Sequence, residues 1–370
     1  MNISPKAKRN IARIIPFAII WLLSGWITDL TEIGITLNQN FNPDTDISRT
    51  IPVLIFASLA NVLVGLIVGL LEVVYLEKRF SNRTLSAKFF YKFLIYLALF
   101  IIIIVIFYPV AYAVETGISL LKVDAWQQLG RFLISISFLI TLLHLSVRFM
   151  VCLIYSAISE NLGHHVLLNF FSGKYHKPKI EKRVFMFLDM KSSTTIAETL
   201  GHIKYFKLLE TYYNIMSDPI INSYGEVYQY IGDEIVISWN SGKGFNQANC
   251  IKCFFDIHDH LNKHKEVLAH EFGFEIGFKA GIHFGEVTIG EIGALKKEIV
   301  FTGDVLNTTA RIQSLCKELK SDLLISGAIK ELLPHSNYQF SSKGEIELKG
   351  RNKKEELFSV TLKKKPTIAM

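Results

Sequence analysis

The chain has 370 residues, half of them apolar, with a net charge of +7 and a mean hydropathy of +0.31, so an ordinary soluble protein is excluded and about two or three domains are expected. Its four cysteines, Cys152, Cys250, Cys253 and Cys316, form no even framework across short loops, which excludes a disulfide scaffold. The basic residues flank apolar segments or gather at the C-terminus, so a lipid bilayer, and no nucleic acid, is the expected partner.

In chain order, four apolar segments come first, at residues 14–27, 51–76, 90–114 and 132–155, the longer ones able to cross a hydrocarbon core of about 30 Å. Lys6, Lys8, Arg9 and Arg13 precede the first and Lys78, Arg79, Arg83 and Lys88 follow the second, whereas the other two loops carry Asp29, Glu32, Asp44, Asp46, Glu115 and Asp124. The positive-inside rule then predicts a multi-pass protein of the inner (plasma) membrane with both termini cytoplasmic. Glu72 and Arg148 lie near enough to the cytoplasmic ends to snorkel outward, and a lone His144 reads as a packed histidine. The fourth span is expected to continue unbroken as a juxtamembrane helix, pairing with a copy of itself and ending at Gly173 before a polar linker, residues 174–182. The expected division is a membrane domain at 1–155, this connection at 156–182, a second folded domain at 183–362 and a basic tail at 363–370.

From Val184 the pattern changes to mixed strands and helices, which predicts an α+β domain after the all-α membrane domain. VFMFLDM reads as a buried strand, followed by helices at 194–200 and 205–223, and GEVYQYIGDEIVISW as two strands joined by a tight turn at Gly232 and Asp233. A helix at 245–264 follows, in which Cys250 and Cys253 form part of an apolar face rather than a zinc site. A long strand in FEIGFKAGIHFGEVTIGEIG, a strand at 298–302, a helix at 304–319, a strand and helix in DLLISGAIKELL, and a terminal hairpin complete the domain.

Asp189 ends an otherwise apolar strand, where an unpaired carboxylate is costly, and Asp233 sits on a hairpin tip that an antiparallel sheet can bring beside it. Two carboxylates with the backbone carbonyl of Met190 between them make an all-oxygen cradle, the ligand set preferred by Mg²⁺ or Mn²⁺, which commonly keep substrate phosphates as further ligands. In TGDVLNTTARIQSL, Asn307 and Arg311 are four apart and share one helix face, where an amide suits a ribose oxygen and a guanidinium a phosphate.

Together, FLDMKSSTTIAE, YQYIGDEIVISW, GIHFGEVTIGEIG and FTGDVLNTTARIQ resemble, in order and spacing, the motifs of the class III nucleotidyl cyclases, over residues 184–361. The resemblance implies a ferredoxin-like palm core and a phosphorus-oxygen lyase that makes cyclic AMP or cyclic GMP. It implies two metal ions per site bound by Asp189, Met190 and Asp233, with Asn307 orienting the ribose, Arg311 stabilising the α-phosphate and Lys349 contacting the outer phosphates. It also implies a homodimer whose two sites each draw the metal ligands from one chain and the Asn/Arg pair from the other.

Two base-reading positions depart from the family pattern. Gln229 stands where a lysine is common, and Val300 where Asp or Thr is common, with Thr302 a substitute if a bulge shifts the strand. ATP is the favoured substrate because no guanine-selecting glutamate occupies the Gln229 position. The alternatives are a guanylate or other nucleotidyl cyclase, and a catalytically silent receptor or scaffold that dimerises through the fold.

Overall fold

The computed structural model describes residues 3–37, 50–80, 83–117, 119–120, 122–333, 338–348 and 354–363, arranged in two compact units. One runs Ala7–Leu168, and the other takes in the described residues up to Lys6 and those from Asn169 on.

In the first unit, four stretches are long and apolar enough to cross a membrane: Pro5–Gly34, Ile51–Arg79, Leu85–Thr116 and Ile136–Leu162. They belong to helix α1 (Pro5–Leu37), to α2 (Ile51–Leu70) with its continuation through a π-helical turn (Leu71–Leu76) into α3 (Glu77–Arg79), to α4 (Leu85–Thr116) and to α6 (Ile136–Leu162). Small residues let α1 and α2 touch backbone to backbone: a Cβ on Gly65 would stand 2.6 Å from the Cα of Ala18.

Three expectations are corrected here. The fourth span starts at Ile136 rather than near Phe132, because Phe132 belongs to a separate helix, α5 (Val123–Leu133), and Ser135 caps α6 by accepting from the Phe138 N–H at 3.3 Å. The juxtamembrane helix is broken at Gly163, whose φ of +83° ends α6 before a short α7 (His164–Phe171). Glu72 does not snorkel: at 1% exposure inside the π-helical turn, it accepts from Lys92, Tyr96 and Ser156. Arg148 likewise turns inward, donating to Asn61, to Thr28 and to the Ser24 carbonyl. Within an apolar bundle, a satisfied internal network is cheaper than an unpaired charge. Replacing Glu72 with alanine would leave Lys92 buried without its counter-charge, at a cost of about 3–5 kcal/mol. Thermal unfolding of the detergent-solubilised protein should show a clear fall in Tm for Glu72→Ala; an unchanged Tm contradicts the pairing.

The second unit is a mixed sheet with its strands in the order β2-β3-β1-β4-β6-β8-β7, and with β5 pairing β4 off that path. The strands are β1 (Lys179–Met190), β2 (Glu226–Ile231), β3 (Glu234–Asn240), β4 (Phe278–Ile292), β5 (Glu298–Thr302), β6 (Leu323–Ser326), β7 (Tyr338–Glu347) and β8 (Lys354–Leu362). Every pairing is antiparallel except β4 with β6. Alternation sends Val184, Met186, Leu188 and Met190 into one core, against α8 (Ser193–Asn222), which is kinked at Gly201, and α10 (Asn249–Lys263). Cys250 and Cys253 lie in that core, where burial pushes both thiols up to about 12, so they serve as apolar packing. The short α9 (Ser241–Phe245) and α11 (Lys265–Phe272) flank α10 in sequence. Phe185 and Phe187 face the opposite way, against β5 and α12 (Asp304–Ser314), while α13 (Gly327–Leu332) follows β6. The α+β expectation holds for the class, but β1 begins at Lys179, inside the expected linker, the helix expected at 245–264 begins at Asn249, and the one expected at 304–319 ends at Ser314.

Candidate active site

Strand alternation decides which way Asp189 points. It continues the row of Phe185 and Phe187, so its carboxylate stands on the sheet face that α12 covers, at the end where β1 stops. Across the ladder its register partners are Glu234 on β3 and Lys279 on β4. Asp189 Oδ2 accepts from Gln313 Nε2 at 3.0 Å and lies 3.3 Å from the Lys279 ammonium.

Asp233 reaches the same place from the β2–β3 hairpin. Gly232 has φ of +63°, the conformation that a two-residue turn with glycine first requires, and Tyr213 Oη donates to its carbonyl at 2.7 Å, pinning the tip. Burial, and then the neighbouring Asp189 carboxylate, push Asp233 above the ordinary aspartate range, with the Ser193 hydroxyl pulling the other way. Its Oδ2 is buried without a hydrogen-bond partner among the described residues. Burial and the two aspartates also push Glu234 up to about 7. The side chain of Met190 is 2% exposed in the opposite core, so only its backbone carbonyl is free to serve this site.

A divalent cation fits this donor set. Two adjacent carboxylates raise one another's proton affinity, and the buried Asp233 Oδ2 has no hydrogen-bond partner among the described residues. Among the described residues no group of three His, Cys, Asp or Glu is close enough to hold a metal by side chains alone. Phosphate oxygens of a ligand are the natural complement. The start of α8 supplies a place for them: Ser192, at φ +58°, turns the chain so that the first-turn amides beside the cradle have no acceptor in the helix.

The raised carboxyls make a pH prediction. Between the ordinary glutamate value of 4.5 and about 7, Glu234 holds its proton in the folded metal-free protein and releases it in the unfolded chain, so its contribution to stability falls as pH rises through that window. In EDTA, raising the pH from 5 to 8 should therefore lower the Tm of the wild-type protein more than that of Glu234→Gln. An equal difference in both proteins contradicts the assignment.

Helix α12 carries a buried stripe, Val305, Thr308, Thr309, Ile312 and Gln313, on the sheet side. Asn307 is exposed and Arg311 half-buried, and neither side chain has a hydrogen-bonding partner among the described residues. At 3.6 residues per turn, Arg311 and Gln313 leave the helix about 200° apart. The structure therefore brings Asp189 and Asp233 together but does not bring Asn307 and Arg311 to the same chain's cradle.

Gln229 is exposed on β2, Thr302 is exposed on β5, and Val300 is half-buried. The condition under which Thr302 would substitute for Val300 is not met, since β4 and β5 pair in unbroken register from Thr288↔Thr302 to Ile292↔Glu298. The bulge lies in β2 instead, between Val227 and Gln229. It frees Tyr228 to stack on Phe301 with ring centroids 4.5 Å apart, which ties β2 to β5. Lys349 lies outside the described residues. Lys279, Gln313 and Ser193 were missed by sequence reasoning; Lys279 alone had a signal, as a charged residue in an otherwise apolar strand.

A sequence model of the family described as "Adenylate and Guanylate cyclase catalytic domain" matches residues 176–361. Adenylate cyclase 2 of Rhizobium meliloti (strain 1021) is 35% identical over 205 residues, 55% of this chain and 56% of that protein. Adenylate cyclase 1 of the same organism is 24% identical over 183 residues, 47% of this chain and 27% of that protein. The chain thus spans 56% or less of these two relatives. The solved structure of a bacterial light-regulated adenylyl cyclase superimposes with a TM-score of 0.53 at 21% identity, covering 62% of this chain and 67% of that one, a likeness of fold.

Proposed function

The chain belongs to the adenylate and guanylate cyclase catalytic domain family, and on that premise we propose that it is a membrane-anchored adenylate cyclase, converting ATP to 3′,5′-cyclic AMP and pyrophosphate at sites shared between two copies of the chain. The observation that carries this reading is the division of chemistry within one chain. A carboxylate cradle with a buried, unbonded oxygen faces one way, and Asn307 and Arg311, without side-chain partners among the described residues, leave α12 on the side away from it. A second copy in two-fold symmetry completes both halves at once.

In this reading, Asp189, Asp233 and the Met190 carbonyl hold the cations, and the amides at the start of α8 take outer phosphate oxygens. When bound, Mg²⁺ or Mn²⁺ lowers the pKa of the ribose 3′-hydroxyl and offsets charge on the phosphates. Asn307 of the other copy orients the ribose so that this oxygen stands in line with the bond to pyrophosphate, and Arg311 meets the charge that develops on the α-phosphate. Lys349 contributes to the outer phosphates. The four long apolar helices, the last ending at Leu162, form the bilayer anchor, the segment up to Pro178 the connection, the sheet from Lys179 with its helices the catalytic domain, and 363–370 a basic tail. Both termini are cytoplasmic, and the dimer extends through the juxtamembrane and membrane segments.

ATP is the proposed substrate, in keeping with the 35% identical relative that is named an adenylate cyclase. The Gln229 amide can pair with either purine, and Val300 offers no hydrogen bond. The test is turnover of ATP and GTP in parallel by purified protein with Mn²⁺ or Mg²⁺. Faster ATP turnover, sharpened by Gln229→Lys, supports the proposal; faster GTP turnover assigns a guanylate cyclase, and no turnover of either favours the silent scaffold.

A further inference from the structure

Gln313 makes a contact that the proposed chemistry leaves unexplained. Its side chain is buried, and its Nε2 donates at 3.0 Å to Asp189 Oδ2, the oxygen that Lys279 also approaches. Oδ2 is thereby engaged from inside the protein, which leaves Oδ1 for the cradle. The helix that carries Gln313 has little room to adjust on its own: a Cβ on Gly281 would stand 2.5 Å from the Gln313 backbone N and 2.8 Å from its Cα, so α12 rests directly on the backbone of β4. One helical turn thus holds Asp189 of its own chain on one side and presents Arg311 on the other.

We infer that Gln313 is a positioning residue that couples the two sites of the dimer, passing the state of Asp189 in one cradle to the α12 that carries Asn307 and Arg311 into the other. The inference rests on the shared-site reading above. Loading the first site fixes Asp189 in one chain and Arg311 in its partner. Through Gln313, each of these presets a component of the second site, so the second nucleotide binds to parts already in place. Linkage makes the effect reciprocal between the sites.

The test is equilibrium binding of α,β-methylene-ATP, which cannot be cyclised, to the full-length dimer at saturating Mn²⁺. In the wild-type protein the second nucleotide should bind at least about fivefold more tightly than the first, giving a sigmoidal isotherm. Gln313→Met, which keeps the length of the side chain and loses the donor, should give a hyperbolic one. Gln313→His, which keeps a ring N–H, should restore the sigmoid. Lys279→Met, which strips the other partner from Oδ2 while leaving α12 attached, should keep the sigmoid even with weakened affinity, and it decides the matter if Gln313→Met does not fold. A hyperbolic wild-type isotherm, a sigmoidal one for Gln313→Met, or loss of the sigmoid in Lys279→Met overturns the assignment. Undiminished analogue affinity in Asp189→Ala is a different result, which overturns the metal-cradle reading itself.

Discussion

Replacing Asp189 with alanine is expected to lower cyclic nucleotide formation by at least about a thousandfold while leaving the dimer intact. The carboxylate stands at the strand end beside Asp233, and its loss leaves one aspartate and a carbonyl, too few protein oxygens to hold a divalent cation against water. Several kcal/mol of charge stabilisation then disappear from the transition state, and each 1.36 kcal/mol is a factor of ten in rate. The fold should tolerate the change, because the β1 residues that build the core beneath are Val184, Met186, Leu188 and Met190, all untouched. Lys279 and Gln313 lose a partner, but neither is a charge sealed in apolar surroundings: the Lys279 side chain is 22% exposed. Cyclic AMP assay with size-exclusion chromatography in detergent checks both halves. Residual activity within tenfold of wild type contradicts the cradle.

Arg311→Ala should cost about 10²–10³ in kcat, the range for removal of one preorganised donor from developing charge. Its guanidinium has no partner within the described chain, so truncation breaks no internal hydrogen bond and Tm should stay near that of the wild type. Arg311→Lys should recover only part of the loss, since an ammonium cannot reproduce planar, two-pronged contact with a phosphate. A fall in Tm in step with the activity would assign Arg311 to folding instead.

The sequence singled out Asp189 and Asp233, which the structure brings together, because their signals are local. A carboxylate that closes an apolar strand and another on a glycine turn are anomalies visible without a fold. The Asn307/Arg311 face was legible for the same reason, from helical spacing alone. What it did not carry depends on distance along the chain: Gln313 lies 124 residues from Asp189, and no periodicity announces their contact. The bulge in β2 carries no signal in that strand's own pattern, because register is set by cross-strand packing, here the Tyr228–Phe301 stack. In the membrane unit, Glu72 was read outward from its distance to the span's end. Lys92, buried in α4 and twenty residues further on, decides its direction, and a lysine inside an apolar run shows its partner only in three dimensions. The break at Gly163 was missed because the apolar spacing runs through it, although glycine's access to positive φ was the available cue.

The central claim is that each site is assembled from two chains, and mixing tests it most directly. Co-expression of Asp189→Ala and Arg311→Ala chains, each inactive alone, should recover about a quarter of wild-type cyclic AMP production, because half of randomly paired dimers contain one complete site of two. No recovery, with mixed dimers demonstrated by differential tags, would place Asp189 and Arg311 in the same chain's site and contradict the account.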